Sequence, residues 1–161
     1  MLRCLVLVIA LILFYCFCVI NLFGRVPRSL SETAYMFGGY RSYIFTAVCF
    51  SCGMGLLPVL FSLTPDHLTF LPFIFCLGLF FAGLTPAFRD IGLERRIHYV
   101  SAIISFSVFM LYVVLCMNLW WLLIYGIGML ILCWWKKECY IFFAEVLGII
   151  LLTTWCILKV W

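Results

Sequence analysis

Residues 5–23 read LVLVIALILFYCFCVINLF, an apolar run without an acidic or basic side chain. A helix of about 20 such residues crosses the roughly 30 Å hydrocarbon core of a bilayer. The run is too long for the apolar region of a secretory signal peptide, and no small-residue cleavage pattern follows it. We therefore expect it to be a retained transmembrane helix that begins shortly after Arg3.

The whole chain is strongly apolar, like this first run. Its 161 residues are 68% hydrophobic and 10% charged, and the mean hydropathy is +1.29, whereas soluble domains carry about 25% charged residues. About six crossings would use most of the chain. We predict one all-α transmembrane domain over residues 1–161, a six-helix bundle in which neighbouring helices run up and down, antiparallel to each other.

Six apolar runs and the polar breaks between them define the predicted spans. The long run 97–135 is divided at Asn118, which Trp120 and Trp121 follow as an interfacial pair would. The fifth span is near the lower length limit for a crossing, so a re-entrant pair in place of spans four and five is the alternative. The predicted spans are residues 5–23, 43–63, 68–85, 97–117, 119–135 and 139–158.

The longest connector, 24–42, carries a helix signal of its own. Ser29 and Glu32 have capping-box spacing. This spacing predicts a short surface helix that reaches about Phe37 and is ended by Gly38 and Gly39.

Lysine and arginine are concentrated in alternate connectors. Connectors 24–42, 86–96 and 136–138 hold eight of the ten basic residues, and the two remaining ones lie near the termini. Short basic loops stay on the cytoplasmic side of a membrane. We therefore predict a multi-pass protein of the cell inner membrane with these three connectors in the cytoplasm and both termini outside. The scattered basic residues favour membrane lipids as partners and exclude nucleic acid.

One acidic side chain, Glu145, lies inside a predicted span. A carboxylate there is costly unless it is paired, protonated or turned into the bundle, and its default interpretation is functional. His98 is expected at a similar depth and is the candidate partner of Glu145. Ser101 and Ser105 follow His98 at +3 and +7, on the same helical face. We predict a polar pocket open to the cytoplasm. Its candidate ligand-binding residues are Glu145, His98, Ser101, Ser105, Arg95 and Arg96.

A structural interpretation of the same residues stands beside the functional one. Small and hydroxyl side chains let membrane helices approach closely and share hydrogen bonds. A three-histidine zinc site needs more than the two histidines of this chain. Phosphate-loop, dinucleotide and metalloprotease motifs are absent from the sequence, so we predict no metal and no cofactor. The ten cysteines lie within or beside apolar runs, where free cysteine behaves as a small apolar side chain.

Three functions remain open on the sequence. The first is binding of a small or lipidic ligand, or of a membrane partner, at the polar pocket, in transport or sensing. The second is an intramembrane enzyme that acts on a lipid headgroup, with His98 as base and Glu145 as acid or as the group that orients the base. The third is a scaffold that assembles with another membrane protein.

Three short segments resemble a known group of proteins. Residues 29–35 read SLSETAY, residues 85–88 read TPAF and residues 98–102 read HYVSA. They resemble segments of a family of small bacterial six-span integral membrane proteins with no established activity. The resemblance extends over most of the chain and implies a bacterial inner-membrane location. It implies no catalytic role for any residue.

Overall fold

The computed structural model of the chain is all-helical in the part that it describes, residues 1–86, 89, 92–119, 127, 131 and 140–161. Tight 3₁₀ turns at Gly39–Ser42 and Asp66–Leu68 lead into the third and fourth helices. The helices are α1 (Leu2–Phe23), α2 (Glu32–Phe37), α3 (Tyr43–Leu63), α4 (Phe70–Gly83), α5 (Gly92–Leu115) and α6 (Tyr140–Val160).

Among the described residues, five stretches are long and apolar enough to cross a membrane. They are α1, α3 and α4 with their leading turns, α5, and Ile141–Val160 of α6, with mean hydropathies between 1.6 and 2.9. Large apolar side chains also point outward, such as Phe14 and Phe17 of α1, which are 68% and 65% exposed. Soluble proteins rarely expose continuous apolar surface of this kind. The outer surface of the helices suits hydrocarbon as its solvent.

The helix ends differ from the predicted spans mainly at α5. Helix α3 has the same ends as the predicted span 43–63, whereas α5 begins at Gly92, inside the predicted connector 86–96. Helix α5 therefore starts five residues before the predicted span, because the charged residues at this point form the first turns of a helix. Glu94 lies in the first turn, where the helix dipole favours a negative charge.

The break predicted at Asn118 is present. Helix α5 ends at Leu115, and Asn118 has a φ of 54°, a left-handed conformation that asparagine adopts more readily than most residues. The predicted span 119–135 lies outside the described residues except at 119, 127 and 131, and the connector 136–138 lies wholly outside them. The six-span count therefore stays a prediction.

Helix α4 packs between α3 and α5, and α1 packs against α3 and α6. Glycine makes two of these approaches possible. A Cβ atom added to Gly78 would lie 2.7 Å from the Cβ of Ser105, and one added to Gly83 would lie 2.7 Å from the Cβ of Cys49. Any larger side chain at either glycine would push the helices apart.

Helix α2 turns inward, whereas the sequence predicted a surface helix. The Oγ atom of Ser29 accepts a hydrogen bond from the Glu32 N–H at 3.1 Å, which is one half of a capping box. The Glu32 carboxylate accepts from the Arg28 N–H instead of completing the box, and Gly38 ends the helix with a φ of 65°. However, Glu32 and Thr33 are only 6% and 0% exposed. The Tyr15 hydroxyl of α1 is hydrogen-bonded to Thr33 Oγ1. The prediction of the helix and its end is confirmed, and the prediction that it lies on the surface is wrong.

Candidate functional site

A cavity of about 710 Å³ lies between α1, α3, α4, α5 and α6. Ligand sites typically measure about 300–1,000 Å³. Most of the lining side chains are aliphatic or aromatic, and Leu30 and Ser31 of the connector before α2 border it as well. The cavity is thus an apolar space with a few polar groups. The lining side chains with hydroxyl, imidazole or carboxyl groups are Tyr15, Ser31, His98, Tyr99, Ser105, Ser107 and Glu145.

Glu145 lines this cavity from the second turn of α6. Its Oε2 atom accepts a hydrogen bond from the backbone N–H of Leu30 at 2.6 Å. One turn earlier, the Phe142 N–H donates to the carbonyl oxygen of Arg28 at 3.0 Å. These two hydrogen bonds hold the connector before α2 against the start of α6. The carboxylate is therefore fixed where the connector meets the cavity.

His98 also lines the cavity, but its hydrogen bonds are directed to α4. The ring is 4% exposed, and its Nδ1 atom lies 3.1 Å from the carbonyl oxygen of Ala82 and 3.2 Å from Thr85 Oγ1. Because a carbonyl oxygen only accepts, Nδ1 carries a proton and donates to Ala82. The structure brings His98 and Glu145 to one cavity, where their described hydrogen bonds go to different partners, Ala82 and Thr85 for His98 and Leu30 for Glu145.

The two serines of the predicted site, Ser101 and Ser105, lie where α5 contacts α4. Ser105 Oγ donates to the carbonyl oxygen of Phe75 at 3.1 Å. The carbonyl oxygen of Ser101 lies 3.0 Å from the position of a Cβ atom added to Gly78. Ser105 also borders the cavity, whereas Ser101 is not among the described lining residues. For these serines, the contacts are those of close helix packing.

The two arginines predicted at the mouth lie outside the cavity. Arg95 and Arg96 are exposed on the first turns of α5, and neither is among the described residues that line the cavity. The Nη2 atom of Arg95 donates to the carbonyl oxygen of Arg89. Of the six predicted residues, the structure therefore brings His98, Ser105 and Glu145 to one cavity.

A second buried carboxylate, Glu32, was not among the predicted site residues. It accepts a hydrogen bond from the Arg28 N–H, and it lies 3.4 Å from Arg25 Nη2 and 4.0 Å from Arg89 Nη2. The Arg89 guanidinium also lies over the Tyr35 ring, 4.8 Å from its centroid. The capping-box spacing pointed to Glu32 as a helix cap. No local pattern connects it with Arg89, which is distant in sequence.

Chemically, the cavity presents a fixed carboxylate beside an apolar volume. Within the described part of the chain, no group of three histidine, cysteine or acidic side chains is placed to hold a metal ion. Glu145 can accept hydrogen bonds or balance a positive charge, and the surrounding rings can hold an apolar body. Comparisons with protein-family models, with curated proteins and with solved structures find no match.

Proposed function

We propose that this protein is a polytopic inner-membrane protein that binds a small lipidic ligand in the cavity between α1, α3, α4, α5 and α6, in transport or sensing. The observation that carries the proposal is the cavity itself, about 710 Å³ of mostly apolar space with Glu145 on its wall. An apolar cavity of this volume within a membrane is a natural receptor for hydrocarbon.

The wall formed by α5 supports a ligand that comes from the bilayer. Tyr99, Ile103 and Phe106 line the cavity, and the same side chains are 53%, 64% and 38% exposed. The α5 side of the cavity therefore offers accessible apolar surface. Such a lining favours a lipidic over a strongly polar ligand.

The proposal includes the orientation of the chain. Connectors 24–42, 86–96 and 136–138 face the cytoplasm, and both termini face the outside. The positive-inside bias of the basic residues is the primary argument for this orientation.

Contacts between the first and third connectors support this orientation. Arg89 lies 4.0 Å from Glu32, which joins the two basic connectors, and the Phe142 N–H donates to the Arg28 carbonyl, which joins the first connector to the start of α6. An arrangement in which these connectors share one side of the membrane accounts for both contacts.

Contacts among the remaining helix ends support the same orientation. Ser62 Oγ donates to Met1 Sδ at 3.8 Å, so the end of α3 meets the N-terminus. Thr64 Oγ1 donates to the Tyr112 hydroxyl at 3.1 Å, and the Tyr112 ring lies edge-on to Trp155 of α6. Both termini and the connector between α3 and α4 fit on the outer side.

The alternative of a headgroup enzyme would use His98 and Glu145 as an acid–base pair. Such a pair needs both side chains within hydrogen-bond reach of the reacting group. In the neutral ring, donation by Nδ1 to Ala82 leaves Nε2 as the basic nitrogen of His98, and Glu145 accepts from Leu30 through one oxygen. Binding is the primary proposal because the cavity is mostly apolar, and the enzyme stays the alternative. A scaffold would use the outer surface of the helices and would not need the cavity.

Filling the cavity tests the proposal. A Cβ atom added to Gly148 of α6 would lie 3.9 Å from Phe109 Cε1, an ordinary contact, and Gly148 lines the cavity. In Gly148→Phe, the ring should occupy the ligand space and reduce binding at least tenfold. The measurement is scintillation proximity on protein in nanodiscs with a tritiated long-chain alcohol. Only the component that unlabelled alcohol displaces is counted.

A control variant places the same ring outside the cavity. Val6 of α1 is 52% exposed and is not among the described residues that line the cavity. Val6→Phe should bind the alcohol like the wild type. Wild-type binding by Gly148→Phe, or no displaceable binding by the wild type, would overturn the proposal.

A further inference from the structure

We infer that the ligand of this cavity is a lipophilic cation, a single positive charge carried on an apolar body. The inference rests on the proposed function, because it assumes that the cavity holds a ligand. Two features of the cavity lining carry it, the carboxyl group of Glu145 on α6 and the aromatic rings that the other helices contribute to the same cavity.

Glu145 supplies the negative charge. It is the one carboxylate among the described residues that line the cavity, and no lysine or arginine is among them. The Leu30 N–H donates one hydrogen bond to Glu145 Oε2 at 2.6 Å. An ionised carboxylate can accept about four hydrogen bonds. Capacity is therefore left for a donor or a cation from the cavity side. A charge in apolar surroundings is strongly stabilised by an opposite charge in contact with it.

None of the eight basic side chains among the described residues forms an ion pair with Glu145. Arg25 and Arg89 lie by Glu32, Arg95 donates to the carbonyl oxygen of Arg89, and Arg96 is exposed. Within the described residues, the ion pairs all involve Glu32 and not Glu145. A cationic ligand could therefore form the ion pair with Glu145 that the described basic residues do not form.

Aromatic rings give the apolar part of the cavity its character. Phe75 and Phe109 lie with their centroids 5.6 Å apart at an angle of 33°, and both line the cavity together with Phe45, Phe106 and Tyr15. The faces of such rings attract cations, and desolvated contacts of this kind are worth about 2 kcal/mol or more. A cation with apolar substituents would be held by the rings and by the carboxylate at once.

The same geometry disfavours an anionic ligand. A phosphate or carboxylate inside the cavity would meet Glu145 as a like charge, and repulsion of this kind is an effective source of specificity. The guanidinium groups that could neutralise such an anion lie outside the described lining. The lining His98 already directs its Nδ1 proton to Ala82. Charge complementarity therefore selects a cation.

Two ions of the same shape and opposite charge test the inference. Tetraphenylphosphonium and tetraphenylborate are added to the full protein in phosphatidylcholine nanodiscs. Binding is counted as the displaceable component that Gly148→Phe lacks. We expect the wild type to bind the phosphonium ion at least tenfold more tightly than the borate ion. Glu145→Gln, which keeps the size and one acceptor oxygen, should weaken phosphonium binding at least tenfold and abolish the preference.

A matched control removes a carboxylate far from the cavity. Asp66 is exposed in the turn before α4, and Asp66→Asn changes the net charge by the same amount as Glu145→Gln. Its phosphonium affinity should stay within twofold of wild type. An equal loss in both variants would mean that net charge, and not Glu145, attracts the ion, and it would overturn the inference.

The long-chain alcohol separates this inference from the proposed function. If the alcohol binds and Gly148→Phe abolishes its binding, but the two ions bind equally or Glu145→Gln has no effect, the cavity is a ligand site and the cation inference is wrong. If the wild type shows no displaceable binding of the alcohol, the proposed function itself fails, and the cation inference that rests on it fails as well. Retained alcohol binding by Glu145→Gln excludes loss of fold as the cause of its effect.

Discussion

Helix α5 faces two neighbours in different ways. Towards α4 it packs without space, since a Cβ atom on Gly78 would lie 2.7 Å from Ser105. Towards α6 it leaves the cavity, since a Cβ atom on Gly148 would have Phe109 as its nearest neighbour, at 3.9 Å. One glycine is thus required by a close approach, and the other borders open volume. The comparison shows that small residues in a membrane helix mark either tight packing or free space, and only the neighbour decides which.

Polar residues divide in the same way. Ser105 completes the packing of α5 on α4 by donating to the Phe75 carbonyl. Glu145 lies on the cavity wall and holds the connector at Leu30. The α4–α5 contact therefore uses its polar groups internally, whereas the cavity keeps a carboxyl group beside apolar space. The two regions should respond differently to the same substitutions.

The largest contrast is expected from leucine at the two glycines. Gly78→Leu has no space for its side chain and should lower the free energy of unfolding by about 3 kcal/mol. Gly148→Leu extends into the cavity and should change it by less than about 1 kcal/mol, since leucine is also the better helix former. The measurement is unfolding in mixed dodecyl maltoside and sodium dodecyl sulfate, followed by circular dichroism. Equal losses would contradict the difference in packing between the two regions.

A smaller effect is expected at the connector. Glu145→Ala removes the acceptor of the Leu30 N–H, and an unsatisfied donor of this kind costs about 1–3 kcal/mol. Glu145→Gln keeps an oxygen acceptor and should cost about 1 kcal/mol or less. Deuterium exchange at the Leu30 amide measures the difference locally. Exchange should be faster in Glu145→Ala than in Glu145→Gln, and equal rates would show that this hydrogen bond does not hold the connector.

The sequence predicted the helix ends best where apolar runs stop sharply. Polar residues flank the run of α3, and Asn118 interrupts the long run that begins with α5, so both ends could be read from composition. The start of α5 at Gly92 was missed because hydropathy reports contact with lipid, whereas a helix is maintained by its own hydrogen bonds. Charged first turns therefore extend beyond an apolar run without any hydropathic signal.

The candidate site could be predicted only in part. Helical spacing correctly put His98 and Ser105 on one face of α5, but the periodicity of a helix does not identify the neighbour that this face meets. The burial cost of a carboxylate indicated that Glu145 faces the bundle interior, and the residue lines the cavity; its role in ligand binding stays a prediction. Its acceptance of a hydrogen bond from Leu30 could not be predicted, because every residue carries a backbone amide and no residue type marks the one that is used.

The smallest effect, at Ser105, sharpens the division between packing and binding. Ser105→Ala removes the hydrogen bond to the Phe75 carbonyl, and interhelical hydrogen bonds in membranes average about 0.6 kcal/mol. We expect a loss of that size in the free energy of unfolding, with phosphonium binding in the nanodisc measurement within twofold of wild type. Because Ser105 also borders the cavity, a tenfold loss of binding would place its hydroxyl in the ligand site. Unchanged binding with the small loss of stability would instead place Ser105 with the α4–α5 contact.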